Sequence, residues 1–120
     1  MAYIIGADIG TTNVKAVAFD LHGNILCSHS EDHPMYHPKP DWSEQDPEAI
    51  VAALEICIQE VVKLARPHGE AVGVCFSAAM HSLMALGETG TPLTRCIIWA
   101  DNRSAALAEE LRQSPRGRRL

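Results

Sequence analysis

Two β-prone runs joined by a turn of small residues, with one carboxylate at the join, open this chain and limit what it can become. Residues 3–9 are apolar apart from Gly6 and Asp8, and residues 14–21 carry Val14, Val17, Phe19 and Leu21. Between them, Gly10, Thr11 and Thr12 bring little side-chain bulk. Backbone N–H groups and hydroxyls in such a turn can hold phosphate oxygens. Asp8 offers a hard oxygen suited to Mg²⁺, directly or through its water shell, and Lys15 adds a cation a few residues on. Any one of these residues fits an ordinary hairpin with a polar turn. A carboxylate buried in an apolar strand does not, because an unpaired charge there is costly. Asp8 is therefore expected to be functional.

After the second strand, Leu21 to Asn24 forms a tight turn in which Gly23 and Asn24 can take positive φ. Residues 25–31 return as a third, antiparallel strand. Residues 32–46 read as loop, because Pro34, Pro38 and Pro40 prevent regular structure while Met35, Tyr36 and Trp42 can pack beneath it. His29, His33 and His37 recur every fourth residue, but the prolines forbid the helix that would align them. A solvated loop is expected there in preference to a metal site. Asp46-Pro47-Glu48 starts a helix, with Asp46 as cap, Pro47 in the first turn and Glu48 at the positive end of the dipole. Ile50, Leu54, Cys57 or Ile58, Val61 and Leu64 or Ala65 give it one buried face, and Arg66 to Gly69 end it.

Residues 71–77 form a short, continuous apolar run, expected as a central strand buried on both faces. With the helix as crossover, this strand is parallel to the first. Its C-terminal end, where ligands bind in open α/β sheets, delivers Ala78 to Ser82, including Met80 and His81. Ser82–Leu86 and Arg95–Trp99 are β-prone around a turn-rich connector, and Ser104 or Asp101 can cap a last helix through Leu107 and Leu111. The basic tail 114–120, with Pro115 and Gly117, is expected to be frayed.

Four stretches together resemble the FGGY carbohydrate kinases of the ribonuclease H-like, actin-like ATPase fold. Asp8, Gly10, Thr11, Thr12, Lys15, Phe19 and Asp20 match the family's opening. Trp42-x-Glu44-Gln45-x-Pro47 matches the segment leading into its first helix. Met80-His81, in the wording Ser77 to Leu83, is most similar to the gluconate kinase branch, and Trp99-x-Asp101-x-Arg103 matches a further family motif. Gly87 departs from the Asp often found there, in a turn where little consequence is expected. The resemblance implies an α/β, ribonuclease H-like mixed sheet: an antiparallel three-strand meander, then a helix and a parallel strand. Residues 1–120 would be the first part of the N-terminal domain, a partial domain. It also implies ATP and Mg²⁺, with Asp8 at the metal, Gly10, Thr11, Thr12 and Lys15 at the phosphates, and Met80, His81, Trp99 and Asp101 at the sugar. His81 reads equally as a structural histidine at a strand end. Asp101 and Arg103 either shape the pocket or pair around Trp99; the wall reading is preferred for Trp99 and Asp101, and a structural one for Arg103.

The activity implied is ATP-dependent phosphorylation of gluconate, with a pentulose such as xylulose as the alternative. No Asp here matches the family's catalytic base, which is expected downstream, so these 120 residues alone are expected to be inactive. Two competing readings are a non-catalytic, nucleotide-binding actin-like or sugar-sensing module and a stand-alone binding domain. A formal charge of −5 argues against nucleic acid as partner. The apolar runs are broken by charges before membrane-spanning length, and Asp8 interrupts any signal-peptide core. Cys27, Cys57, Cys75 and Cys96 lack Cys-x-x-Cys spacing, which suits reduced thiols and a cytoplasmic location. A homodimer of the full-length enzyme is compatible with all of this.

Overall fold

The computed structural model describes residues 1–117; the last three residues of the expected frayed tail lie outside them. Strands β1 (Ala2–Ile9), β2 (Asn13–Asp20) and β3 (Ile25–Asp32) form the expected antiparallel meander. Asp20 closes the β2–β3 turn by accepting hydrogen bonds from the backbone N–H groups of His22 at 2.9 Å and Asn24 at 2.8 Å. The side-chain amide of Asn24 holds Asp20 below the usual carboxylate range. Gly23 alone in that turn takes positive φ, at 87°.

Helix α1 (Pro47–Ala65) begins as the sequence dictates, with the Asp46 side chain accepting from Glu48 N–H at 3.0 Å and Pro47 in the first turn. Its buried face is Ala53, Cys57, Val61 and Ala65, with Ile50, Leu54 and Ile58 packed at the margin; Leu64 is exposed. This face lies over the meander, against Tyr3 and Ile5 of β1 and Val14, Ala16 and Ala18 of β2. The small residues on both surfaces let the helix sit close to the sheet. A short 3₁₀ turn, Arg66–His68, then leads to Gly69 at φ 115°. A Cβ on Gly69 would collide with the Met1 carbonyl oxygen, so only glycine fits.

Strand β6 (Glu70–Ala78) runs parallel to β1, giving the sheet order β3-β2-β1-β6. The crossover is therefore as expected, but the burial is not. All nine β6 residues are exposed, including Val72, Val74 and Phe76. The strand is at the sheet edge, and α1 covers the meander instead of β6.

The proline-rich segment carries more order than the expected loop. Strands β4 (Met35–Tyr36) and β5 (Glu44–Gln45) pair with β7 (Cys96–Ile97) in a second, three-stranded sheet. A Leu83–Ile97 bridge draws the segment after β6 alongside it. Helix α2 (Ala105–Gln113) follows, with Ser104 at its start making no side-chain cap and with Leu107 and Leu111 exposed. The Cα radius of gyration is 18.8 Å, with extents of 60 × 30 × 30 Å. A compact chain of this length has a radius nearer 14 Å, on the order of 2.2·N^0.38. The excess matches an elongated outline, twice as long as it is wide. No described helix is long and apolar enough to cross a membrane, and the four cysteines are free.

Candidate functional site

Strand alternation places Tyr3, Ile5 and Ala7 of β1 toward α1 and Ile4, Gly6 and Asp8 on the opposite face. Asp8 is thus exposed, which corrects the expectation of a buried carboxylate; the period-2 pattern already carried that signal. In the sheet register Asp8 is opposite Lys15 on β2 and Ser77 on β6, so the three share the open face near the C-terminal ends of β1 and β6.

The turn between β1 and β2 is closed by Gly10 N–H donating to the Asn13 carbonyl at 2.9 Å. A Cβ on Gly10 would approach that same oxygen to 2.9 Å, too close for any side chain without backbone movement. Each carbonyl of the turn is then held by a donor. His33 Nε2 meets the Gly10 oxygen at 3.1 Å, Gln45 Nε2 donates to the Thr11 oxygen, and His33 N–H donates to the Thr12 oxygen at 3.2 Å. The hydroxyl of Thr11 accepts from Trp99 Nε1 at 3.1 Å. Among the described residues the Thr11 and Thr12 N–H groups have no protein acceptor. A glycine that only hydrogen can occupy and two unclaimed N–H groups beside an exposed carboxylate and a lysine form a cradle that fits phosphate oxygens and a hydrated Mg²⁺.

Of the three histidines, His33 departs from the expected solvated loop. His29 lies in β3, 2.6 Å from Glu31, and His37 Nδ1 is 2.9 Å from the Trp42 carbonyl. His33 is 7% exposed, far from a solvated loop. The three do not converge, and no cluster of three or more potential metal ligands occurs among the described residues.

Beyond β6, Ala79 N–H donates to the Ile9 carbonyl at 3.1 Å, so Met80 and His81 emerge beside the cradle. Met80 is largely exposed. His81 has a φ of 63°, uncommon for a residue with a side chain. A cleft of about 340 Å³ opens there, lined by His81, Leu83, Ile97, Trp99, Asp101 and Arg103. Trp99 is more than half exposed, and its indole joins the cleft to the cradle through Thr11.

Asp101 cannot act as a direct hydroxyl acceptor in this arrangement. Its Oδ1 accepts from Arg103 N–H and Nε, and its Oδ2 accepts from Ser43 N–H and Arg103 Nη2, all at 2.7–3.0 Å. Four donors fill the four lone-pair sites of a carboxylate. The hydrogen-bonded Arg103 guanidinium holds Asp101 well below the usual carboxylate range, and Asp101 in turn raises Arg103. Arg103 also pairs with Glu44 at 2.7 Å and stacks on Trp42, 3.7 Å from its ring centroid. The ion pair is therefore built around Trp42, not Trp99, and ties the 99–103 segment to β5. Sequence reasoning missed the contacts of His33 and Gln45 with the turn; Gln45 stood inside a recognised motif, whereas His33 stood out only as a member of a histidine repeat.

Residues 3–120 match the N-terminal domain of the FGGY family of carbohydrate kinases. The gluconokinase of Bacillus subtilis (strain 168) is 39% identical over 118 residues, covering 97% of this chain and 22% of that protein. The xylulose kinase of Staphylococcus xylosus is 32% identical over 118 residues, covering 95% of this chain and 23% of that one. The solved gluconate kinase from Lactobacillus acidophilus superimposes with a TM-score of 0.91 at 31% identity, over 98% of this chain and 24% of its own. The chain thus spans about a fifth to a quarter of the length of the proteins it matches.

Proposed function

The chain belongs to the FGGY family of carbohydrate kinases, and from that premise we propose that it supplies the phosphate cradle and part of the sugar wall of an ATP-dependent kinase acting on gluconate. The observation that carries this is the adjacency of two sites at one end of the sheet, the Gly10–Thr12 turn and the cleft beside His81, joined by the Trp99–Thr11 hydrogen bond.

Transfer of a phosphoryl group depends mainly on positioning and on stabilising charge at the transferring oxygens. In this reading the Thr11 and Thr12 N–H groups and the Lys15 ammonium hold phosphate oxygens, and Gly10 keeps the turn free of side-chain bulk. Asp8 holds Mg²⁺ or its waters, and the ion supplies charge neutralisation at the phosphates. His81 can donate to and accept from polyol hydroxyls. Met80 and Trp99 form the apolar wall, and Asp101 supports that wall from behind through Arg103 and Ser43. The base that accepts the sugar hydroxyl proton is proposed to come from the length of the family that this chain does not span.

Gluconate is preferred to xylulose because the B. subtilis gluconokinase is more similar than the S. xylosus xylulose kinase. The test is a phosphorylation assay of the full-length protein with MgATP against gluconate and xylulose in parallel. Turnover of gluconate with the higher kcat/KM is expected. Turnover of xylulose alone would replace the substrate, and nucleotide binding without transfer to any sugar would favour the regulatory module.

A further inference from the structure

We propose that His33 and Gln45 are positioning residues of the phosphate cradle, holding its peptide planes from behind so that the N–H groups face a ligand. The inference rests on the kinase reading for its ligand, but its geometry is independent of the sugar. In a trans peptide the C=O of one residue and the N–H of the next lie in one plane and point in opposite directions. Fixing the Gly10 oxygen therefore aims the Thr11 N–H, and fixing the Thr11 oxygen aims the Thr12 N–H. His33 and Gln45 hold those two oxygens. Both side chains are more than nine-tenths buried, at 7% and 5% exposure.

His33 shows a further sign of this role. A carbonyl can only accept, so Nε2 must carry a proton, and in the neutral ring Nδ1 is then the lone-pair nitrogen. That Nδ1 is buried without a partner. A buried ring that leaves one nitrogen unsatisfied is a poor packing choice. What it provides in return is the bond to the Gly10 oxygen, reinforced by His33 N–H on the Thr12 oxygen at 3.2 Å. With Gln45 on the middle carbonyl, donors from the segment between β3 and α1 hold all three turn carbonyls. Such preorganisation spares the ligand the cost of ordering the turn.

The experiment compares His33→Phe, His33→Gln and Gln45→Met in the intact protein. Affinity for the β,γ-imido analogue of ATP with Mg²⁺ and affinity for gluconate are measured by calorimetry, together with the melting temperature. His33→Phe keeps the ring but loses the donor, and about a tenfold loss of nucleotide affinity is expected, with gluconate affinity changed less than about twofold. His33→Gln returns an amide donor and is expected to recover most of that loss. Gln45→Met removes the second donor at similar volume and carries the test if His33→Phe does not fold. Wild-type nucleotide affinity in both His33→Phe and Gln45→Met would overturn the proposal, as would equal losses for nucleotide and sugar that follow the melting temperature. A wild-type protein that binds the analogue but phosphorylates no sugar removes the kinase reading and leaves this comparison intact. One that does not bind the analogue overturns both.

Discussion

The two faces of the β1-β2-β3-β6 sheet solve opposite problems. On the α1 side, Tyr3, Ile5, Val14, Ala16 and Ala18 meet Cys57, Val61 and Ala65, and all eight are at most 2% exposed. On the other side Ile4 is 38% exposed, and on β6, which α1 does not reach, Val74 and Phe76 are 42% and 58% exposed although they share the face of Ile5 and Ala7. One face is closed by dispersion and hydrophobic burial, which need only complementary volume. The other carries Asp8, Lys15 and the cradle, whose shape is fixed by directional hydrogen bonds from His33, Gln45 and Trp99. Stability is concentrated in the covered layer and the proposed ligand contacts in the open one, so a change on one side should leave the other largely intact.

The strongest way to break this comparison is a matched pair of truncations. Val61→Ala empties part of the covered layer and should cost about 2–3 kcal/mol. Val74→Ala on the exposed strand should cost under about 0.5 kcal/mol, as surface substitutions usually do. Chemical denaturation of this chain measures both, and equal costs would mean that β6 is covered after all. Next in size, Gly10→Ala forces a methyl group against the Asn13 carbonyl and should weaken MgATP binding in the intact protein by about tenfold, or about 1.4 kcal/mol. Isothermal titration reads it; unchanged affinity would remove the cradle from the site. Asp46→Ala deletes the α1 cap and should cost about 1 kcal/mol in the same denaturation experiment, with no change in nucleotide affinity.

The smallest signal expected is in acid. Asp101 has a folded-state pKa below its ordinary value of 3.8. Its contribution to stability is therefore complete above that value and is lost as pH falls below it toward the lower folded-state pKa. Melting temperatures at pH 5 and pH 3 should fall less in Asp101→Asn than in the wild type. An identical fall in both would mean that the carboxylate is not held by Arg103.

Much of the covered layer was legible because burial imposes a period. Alternation along β1 and β2, helical spacing from Ile50 to Ala65 and the Asp46-Pro47 cap each follow from local geometry, and the parallel β6 follows from its crossover. The second sheet was not legible, since strands of two residues such as Glu44–Gln45 are too short to show any period. The apolar run of β6 signalled burial that the strand does not have: β1 is its one neighbour in the sheet, and all nine of its residues are exposed. At the site, Asp8, Gly10, Thr11 and Trp99 stood in recognisable motifs. Asp101 did too, but a motif gives residue types without saying which lone pairs are already taken. His33 was hidden because its role depends on a contact 23 residues back along the chain.

Strand β6 also decides how a sample of this chain behaves in the tube. Its outer edge presents unpaired backbone groups, and the nine residues from Glu70 to Ala78 contain no proline and a single charge. Val72, Val74, Cys75 and Phe76 are accessible to any second molecule. Natural sheets blunt such edges with charge, proline or a covering element; here Glu70 is the one charge, and neither proline nor a covering element is present within the described residues. Concentrated solutions should therefore associate edge to edge, and Cys75 makes that association sensitive to oxidation. A charged substitution at Val72 and routine use of a reductant are the practical remedies.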